Sequence, residues 1–342
     1  MLTIPVLIGI AVVGGLAILI GMIVGTRQQH RSDDDASAPP AGNRPATESP
    51  SGNVPQRDTS TASLTLTDLS ARIGISVDDL QNHQPVYREV RISKPHGGVR
   101  CLEIPDDRTK ELQRTLLHRL FAGIRAHNCA CGFEAGTSIV NAAVPHVRKR
   151  VIVKLDVRRF FESTTAKRVS AWFRSIGWDD EATAVLTQLT THNGHLPQGA
   201  PTSPRLSNLV NAPLDEGLLK LATHHGGDYT RYADDITMSF HIRSGRRIRG
   251  IIQATRRILR SYGYKLHGGR KQQILRRHQR QQVLGLVVND QAALPRHTRR
   301  RLRAIRHRTS QGIAPTLTPA QLEGWEAFRT MVETQRQPSS DH

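Results

Sequence analysis

Asp234 and Asp235 stand side by side in YTRYADDITMSF (229–240), among residues that otherwise favour strands. Adjacent carboxylates repel each other, and Asp is disfavoured in strands. A hairpin turn is one way to place such a pair, because Asp tolerates tight turns. A site that needs concentrated negative charge to hold metal ions is the other. Asp156 lies 78 residues earlier, near the exit of VIVKLDV (151–157), where a helix cap is the plainer reading. Two strands of one sheet can bring the three carboxylates together, and such a cluster is very costly unless divalent cations neutralise it. Hard oxygen ligands suit Mg2+, and two ions roughly 3.5–4 Å apart drive in-line phosphoryl transfer. One ion activates the attacking hydroxyl and the other steadies the leaving pyrophosphate. On this reading Asp156, Asp234 and Asp235 are both the catalytic and the metal-ligating residues.

The charge balance agrees with phosphate chemistry. The 342 residues carry 48 Lys and Arg against 29 Asp and Glu, a net charge of +19. So large an excess implies a polyanionic partner, nucleic acid or anionic lipid, although solvated helix faces are the alternative. Arginine dominates it, in RKR (148–150), RRIRG (246–250), RRILR (256–260) and RRHQRQQ (276–282). Guanidinium groups grip phosphate in a two-pronged fork, which favours nucleic acid. Cys101, Cys129 and Cys131 make no disulfide framework, and HNCAC (127–131) lacks the paired spacing of a zinc site.

Three segments organise the chain. Residues 1–26 carry no charged side chain, and IPVLIGIAVVGGLAILIGMIVG (4–25) is long enough to predict a membrane-spanning helix. Arg27, His30 and Arg31 follow it, so the positive-inside rule predicts a single-pass inner-membrane protein with a cytoplasmic body. Asp35-Ala36-Ser37-Ala38 offers a cleavage pattern and keeps secretion open, and Gly21 and Gly25 form a Gly-x-x-x-Gly pair. Residues 27–63, rich in Ser, Asp, Pro and Thr, read as a disordered linker. Globular sequence begins near Leu64. Apolar spacing predicts helices over 108–127, 166–176, 180–191, 204–223 and 246–262, strands over 151–157 and 283–288, and an Arg-rich helical tail over 296–334. Strands that carry acids to one edge, with helices between them, indicate an α+β domain.

Ordered motifs add a resemblance. YADD (232–235), VKLDVRRFFES (153–163), HLPQGAPTSPRLSNLVN (195–211) and RISKPHGGVRCLEIP (91–105) together resemble the reverse transcriptases of bacterial retrons and group II introns. The match covers about residues 86–290 in the family's order. It implies a right-hand polymerase with fingers (64–150), a palm carrying an antiparallel sheet (151–290) and a thumb-like basic region (291–342). The family's site residues then fall on positions of this chain. Phe161, five residues after Asp156, would be the steric gate against a 2′-hydroxyl, with Phe160 in the core. Gln198 and Gly199 would line the nucleotide pocket, and Lys94 and Arg100 would clamp the triphosphate.

Retron features are present with changes. NAAVPH (141–146) has one residue more than Asn-Ala-x-x-His, and VLGLVVN (283–289) has Leu284 where the family has Thr. A family His-Gly-Phe is Cys131-Gly132-Phe133. In HGGRK (267–271) His267 takes the place of an Asn, and either Arg270 or Lys271 that of a Lys. The chain ends shortly after the thumb-like region, as a compact polymerase with a dedicated RNA would. The resemblance thus implies an RNA-directed DNA polymerase that uses Mg2+ and deoxynucleoside triphosphates. Its template and primer would be a structured non-coding RNA, copied into DNA from a guanosine 2′-hydroxyl and gripped by RHTRRRLRAIRHR (296–308). It also implies a part in antiphage defence with an unidentified effector, whereas the membrane contact expected through the N-terminal helix is not something the family pattern explains. A non-catalytic nucleic-acid binder on a polymerase scaffold, or a catalyst of untemplated or RNA synthesis, are the rival readings.

Overall fold

The computed structural model describes residues 10–13, 16–19, 63–93, 98–312 and 316–336. Where the first apolar run predicts a membrane-spanning helix, β1 (Ile10–Val13) pairs with β2 (Leu16–Leu19). Among the described residues no helix is long and apolar enough to cross a membrane. β-Branched residues at 10, 12, 13 and 18 suit strands, and Gly14-Gly15 between the two runs is a two-residue sequence that hairpins use. The expectation of a single-pass inner-membrane protein, and of the membrane as a partner, is therefore corrected. The expected linker, apart from Ser63, lies outside the described residues, as do the Asp35–Ala38 pattern, Gly21, Gly25 and Lys94.

From Ser63 onward the chain is a mixed helix-and-sheet domain. The short helices α1 (Leu66–Ile73) and α2 (Val77–Asn82) lead into a hairpin of β3 (Tyr87–Ser93) and β4 (Val99–Pro105). Ser93 pairs with Val99 at its tip. Next come α3 (Asp107–Thr115), which runs into a π-helical turn over Leu116–Phe121, and α4 (Ile139–Ala143). The strand β5 (Val151–Arg158) is followed by α5 (Ala166–Ser175), α6 (Asp180–Thr190), α7 (Ser203–Val210) and α8 (Ala212–His224). The helix expected over 204–223 is thus two. Asn211 ends α7 and begins α8, and Pro213 in the first turn of α8 has no N–H to continue α7.

Next come β6 (Gly227–Tyr232), β7 (Asp235–Phe240), α9 (Gly245–Ser261), β8 (Lys265–Leu266) and β9 (Gln273–Arg276). The strand expected over 283–288 is instead a tight hairpin of β10 (Gln282–Val283) and β11 (Leu286–Val287). Its turn residues Leu284 and Gly285 both have positive φ, 45° and 87°, the backbone that two-residue hairpins need. Two basic-to-mixed helices close the domain, α10 (Arg296–Ser310) and α11 (Pro319–Gln335).

The central sheet is antiparallel in order β6-β7-β5-β8, with β9 also pairing with β5. Strand alternation decides its two faces. Val151, Val153, Leu155 and Val157 point with Ile236, Met238 and Phe240 into a core completed by Leu214 and Leu218 of α8 and Ile248, Ile251 and Leu259 of α9. Ile152 faces the other way, into a second core with Val283, Leu286, Leu302 and Val332. A third cluster joins α1, α5 and α6 around Leu69, Phe121 and Phe173.

His146, the histidine of NAAVPH, is buried on that second face. Its Nδ1 lies 2.7 Å from Ser239 Oγ and its Nε2 2.8 Å from Thr230 Oγ1, so it ties β6 to β7. Asn141 caps the start of α4 through Ser138. Both residues of the motif therefore do structural work in this chain. Burial, helped by Lys149, lowers the His146 pKa from 6.5 to about 3. The unfolded chain takes up this proton as pH falls below 6.5 and the folded chain does not, so stability present above 6.5 is lost on acidification toward 3. A urea series on wild type and His146→Gln checks this. The stability gap between them is expected to be about 2 kcal/mol wider at about pH 7 than at about pH 5. An equal gap at both would contradict it.

Candidate active site

Strand register brings the distant acids together. Asp156 on β5 is paired directly with Asp235 on β7, so the two share one face of the sheet. That face is the one turned away from α8 and α9. Tyr232 and Asp235 form the last pair of the β6–β7 hairpin, which leaves Ala233 and Asp234 as its turn. Ala233 has φ of 53°, a left-handed conformation unusual for a residue with a Cβ. The Val157 N–H donates to the Asp234 carbonyl at 2.9 Å and fastens the turn to β5. The hairpin reading of the acidic pair holds for Asp234, and the turn puts it beside two other acids.

The carboxylates destabilise one another's charge. Burial, followed by Asp234 and with Asp156 contributing, raises the Asp235 pKa from 3.8 to about 6, against the pull of Lys154 and Lys271. Burial and then Asp156 raise that of Asp234, while Lys271 and Arg100 act to lower it. Lys271 Nζ sits 3.0 and 3.3 Å from the two carboxylate oxygens of Asp156, and His267 Nε2 is 3.5 Å from one of them. Lys271, one of the two residues left open by HGGRK, is bonded to the acid cluster. Among the described residues, no three His, Cys, Asp or Glu side chains close around one point as a ready-made cation site. The donor set nonetheless suits a divalent cation. It consists of hard carboxylate oxygens, two of them, Asp156 and Asp235, opposite in register, with the Lys271 ammonium already serving as counter-charge to Asp156.

A buried network holds the turn from behind. Arg231 is fully buried and forks onto Asp215 of α8 at 2.7 and 2.6 Å. Its remaining donors reach Asn208 Oδ1 at 3.2 Å and the Ala233 carbonyl at 3.3 Å, and Tyr229 donates to Asp215 at 2.6 Å. The guanidinium thus pins the first residue of the acidic turn to α7 and α8. Removing one partner of such a buried pair commonly costs roughly 3–5 kcal/mol. Sequence reasoning missed Arg231 and Asp215. The available signal was an arginine inside the strand TRY, alternating in step with Tyr229, which calls for a buried acid. Cys129, Ala130 and Cys131 continue the sheet beside β6 through bonds to the Arg231 backbone, and burial raises their thiols to about 12 and about 11. HNCAC is structural.

The other expected residues fall around the same place. Phe160 is in the core, 5.5 Å from the ring of Tyr264, while Phe161 is half-buried and meets Phe160 edge to face. Gln198 accepts a bond from the Glu103 N–H at 2.8 Å, which ties its loop to β4. Gly199 has φ of 132°, and a Cβ there would come within 3.0 Å of the Glu103 carbonyl oxygen, so the position asks for glycine on two grounds. Arg100, also on β4, is exposed, and its charge reaches Asp234.

A mixed domain whose antiparallel sheet gathers three acids at one hairpin is the architecture of a nucleotide polymerase. Residues 92–288 match the family model described as reverse transcriptase (RNA-dependent DNA polymerase). The chain is 34% identical over 296 residues to the retron Mx65 reverse transcriptase of Myxococcus xanthus, covering 79% of this chain and 68% of that one. It is 30% identical over 329 residues to the retron Mx162 reverse transcriptase of the same organism (82% and 68%) and 30% over 281 residues to the retron Ec86 reverse transcriptase of Escherichia coli (79% and 85%). The chain belongs to the reverse transcriptase family, in its retron-type branch, and is an RNA-directed DNA polymerase.

The raised Asp235 pKa has a consequence for stability. A carboxyl whose folded pKa exceeds its unfolded one contributes stability below the unfolded value, lost as pH rises through the folded one. Above about 6 the folded, metal-free protein carries the whole penalty. Asp235→Asn is therefore expected to stabilise the metal-free protein at about pH 7.5 by roughly 1–3 kcal/mol. Chemical denaturation in chelator checks this, and a destabilised variant would contradict it.

Proposed function

We propose that this enzyme copies a structured non-coding RNA into DNA by nucleotidyl transfer at Asp156, Asp234 and Asp235. The observation that carries the proposal is the direct pairing of Asp156 with Asp235 next to the turn that holds Asp234. These three would ligate two Mg2+ ions. When bound, such ions activate the attacking hydroxyl and stabilise the charge that develops on the leaving group. The chain's own residues do the rest. Arg231 and Asp215 keep the acidic turn at a fixed height against β5. Lys271 balances Asp156 while the site is open. Phe161 presents a ring where the incoming sugar lies and excludes a 2′-hydroxyl. Gln198 and Gly199 bring a loop backbone close to the nucleotide, and Arg100 and Lys94 draw in the triphosphate through charge-assisted bonds.

The segments read as fingers (64–150), palm (151–290) and thumb-like region (291–342) would form a right hand around the primed template. The last contributes α10, whose face toward solvent carries Arg296, Arg299, Arg300, Arg303 and Arg308, spaced to follow a phosphate backbone. The retron reading adds initiation at a guanosine 2′-hydroxyl and a role against phage.

Extension of a primed RNA with purified protein, Mg2+ and deoxynucleotides tests this reading. Asp156→Asn, or Asp234→Ala with Asp235→Ala, is expected to lower the rate by at least about 10³-fold. Phe161→Ala is expected to retain synthesis but to incorporate ribonucleotides. Full-rate extension by the acid variants would contradict the assignment.

A further inference from the structure

A second cluster of charge lies just past Asp156. Arg158, Arg256, Arg260, Lys265 and His267 line a cavity of about 270 Å³ at the β8 edge of the sheet. Its construction is unfavourable without an anion. Arg158 and Lys265 are direct cross-strand partners, and like charges placed so repel. Arg256 and Arg260 are one helical turn apart on α9, where like charges repel again. Arg256 is held in place by Gln272 at 2.6 Å, a neutral partner. Among the described residues no carboxylate pairs with Arg158, Arg256, Arg260 or Lys265. Arg256, Arg260 and Lys265 have none near in sequence either, because residues 236–289 contain no Asp or Glu.

The cavity adjoins the acids. Arg158 follows Asp156 by two residues on β5 and so lies on the same face. The His267 N–H donates to the Asp156 carbonyl at 2.8 Å, and its ring stands 3.5 Å from the Asp156 carboxylate. The volume is below the roughly 300–1,000 Å³ of sites for drug-sized ligands, which suits a small anion. Nucleotidyl transfer makes one at this spot. The hydroxyl oxygen bonds to the α-phosphorus, the bond from that phosphorus to the bridging oxygen breaks, pyrophosphate leaves with the electron pair, and the hydroxyl proton goes to solvent.

We propose that this pocket receives the released pyrophosphate on its way from the carboxylates to solvent. The proposal rests on the reading of Asp156, Asp234 and Asp235 as the site of transfer. Its residues differ from those read as the triphosphate clamp, Lys94 and Arg100, of which Arg100 is on β4.

Calorimetric titration of the whole protein with pyrophosphate, in magnesium-free buffer, reads the pocket without catalysis. Saturable binding is expected, weakened roughly 10–100-fold by Arg158→Gln with Arg260→Gln and less by Arg158→Lys, since each exchange removes a charge-assisted contact. Arg158 and Arg260 are exposed, so the folded state tolerates both changes. In primed extension the double variant is expected to resist pyrophosphate inhibition to the same degree, with KM for deoxynucleotides shifted by less than about two-fold, within 0.4 kcal/mol or so. Absent binding by wild type, or equal binding by the double variant, would overturn the proposal. So would a KM rising in step with the lost affinity, which would make the pocket part of the nucleotide's own site. Weakened RNA affinity with pyrophosphate binding intact would assign the pocket to a nucleic-acid backbone instead. Failure of the transfer reading itself would show as wild-type protein that binds pyrophosphate but makes no DNA.

Discussion

The mutual repulsion of three carboxylates is the constraint around which the rest of the structure is arranged. Antiparallel pairing sets Asp156 against Asp235 at the closest spacing that a sheet allows, and a two-residue turn adds Asp234. Nothing in local propensity favours this. What enforces it is the register of β5 and β7, and that register is fixed because a one-residue slip would turn Val153, Leu155, Ile236 and Met238 out of the core. Apolar packing on one face of the sheet thus compels an electrostatic cost on the other.

Two devices keep that cost local. Behind the turn, Arg231 and Asp215 form a dry ion pair, completed by Asn208 and Tyr229, so that the left-handed Ala233 has its carbonyl held. In front, Lys271 supplies a positive charge to Asp156, and Lys154 and Arg100 act on the neighbouring acids. Beyond them the span 236–289 carries arginine and lysine but no Asp or Glu. Three clustered acids are thus a small negative spot in a chain of net charge +19.

Legibility in the sequence followed the range of the forces involved. The strand carrying Asp156, the acidic hairpin, the helices over 166–175 and 180–190, and the α+β class were all readable from period and residue type. So was the division of Phe160 to the core. What escaped depends on contacts distant in sequence. Arg231 looked like one more basic residue because its partner Asp215 lies on a helix 16 residues earlier. His146 looked like one letter of a retron motif because nothing local shows that Thr230 and Ser239 enclose it. VLGLVV read as a strand because its apolar run hides a turn at Leu284-Gly285, and the first apolar run read as a membrane helix because hydropathy alone does not distinguish a long helix from β-branched runs about a Gly-Gly pair.

The most direct measurement of the central claim is the position of divalent ions in the folded enzyme. Anomalous diffraction from crystals grown with Mn2+, primed RNA template and an unreactive deoxynucleotide would locate them. Two peaks are expected between the Asp156 and Asp235 side chains, each within bonding distance of a carboxylate oxygen, with Lys271 withdrawn from Asp156. Ions bound elsewhere, or a retained Lys271–Asp156 pair with no ion among the three acids, would contradict the account.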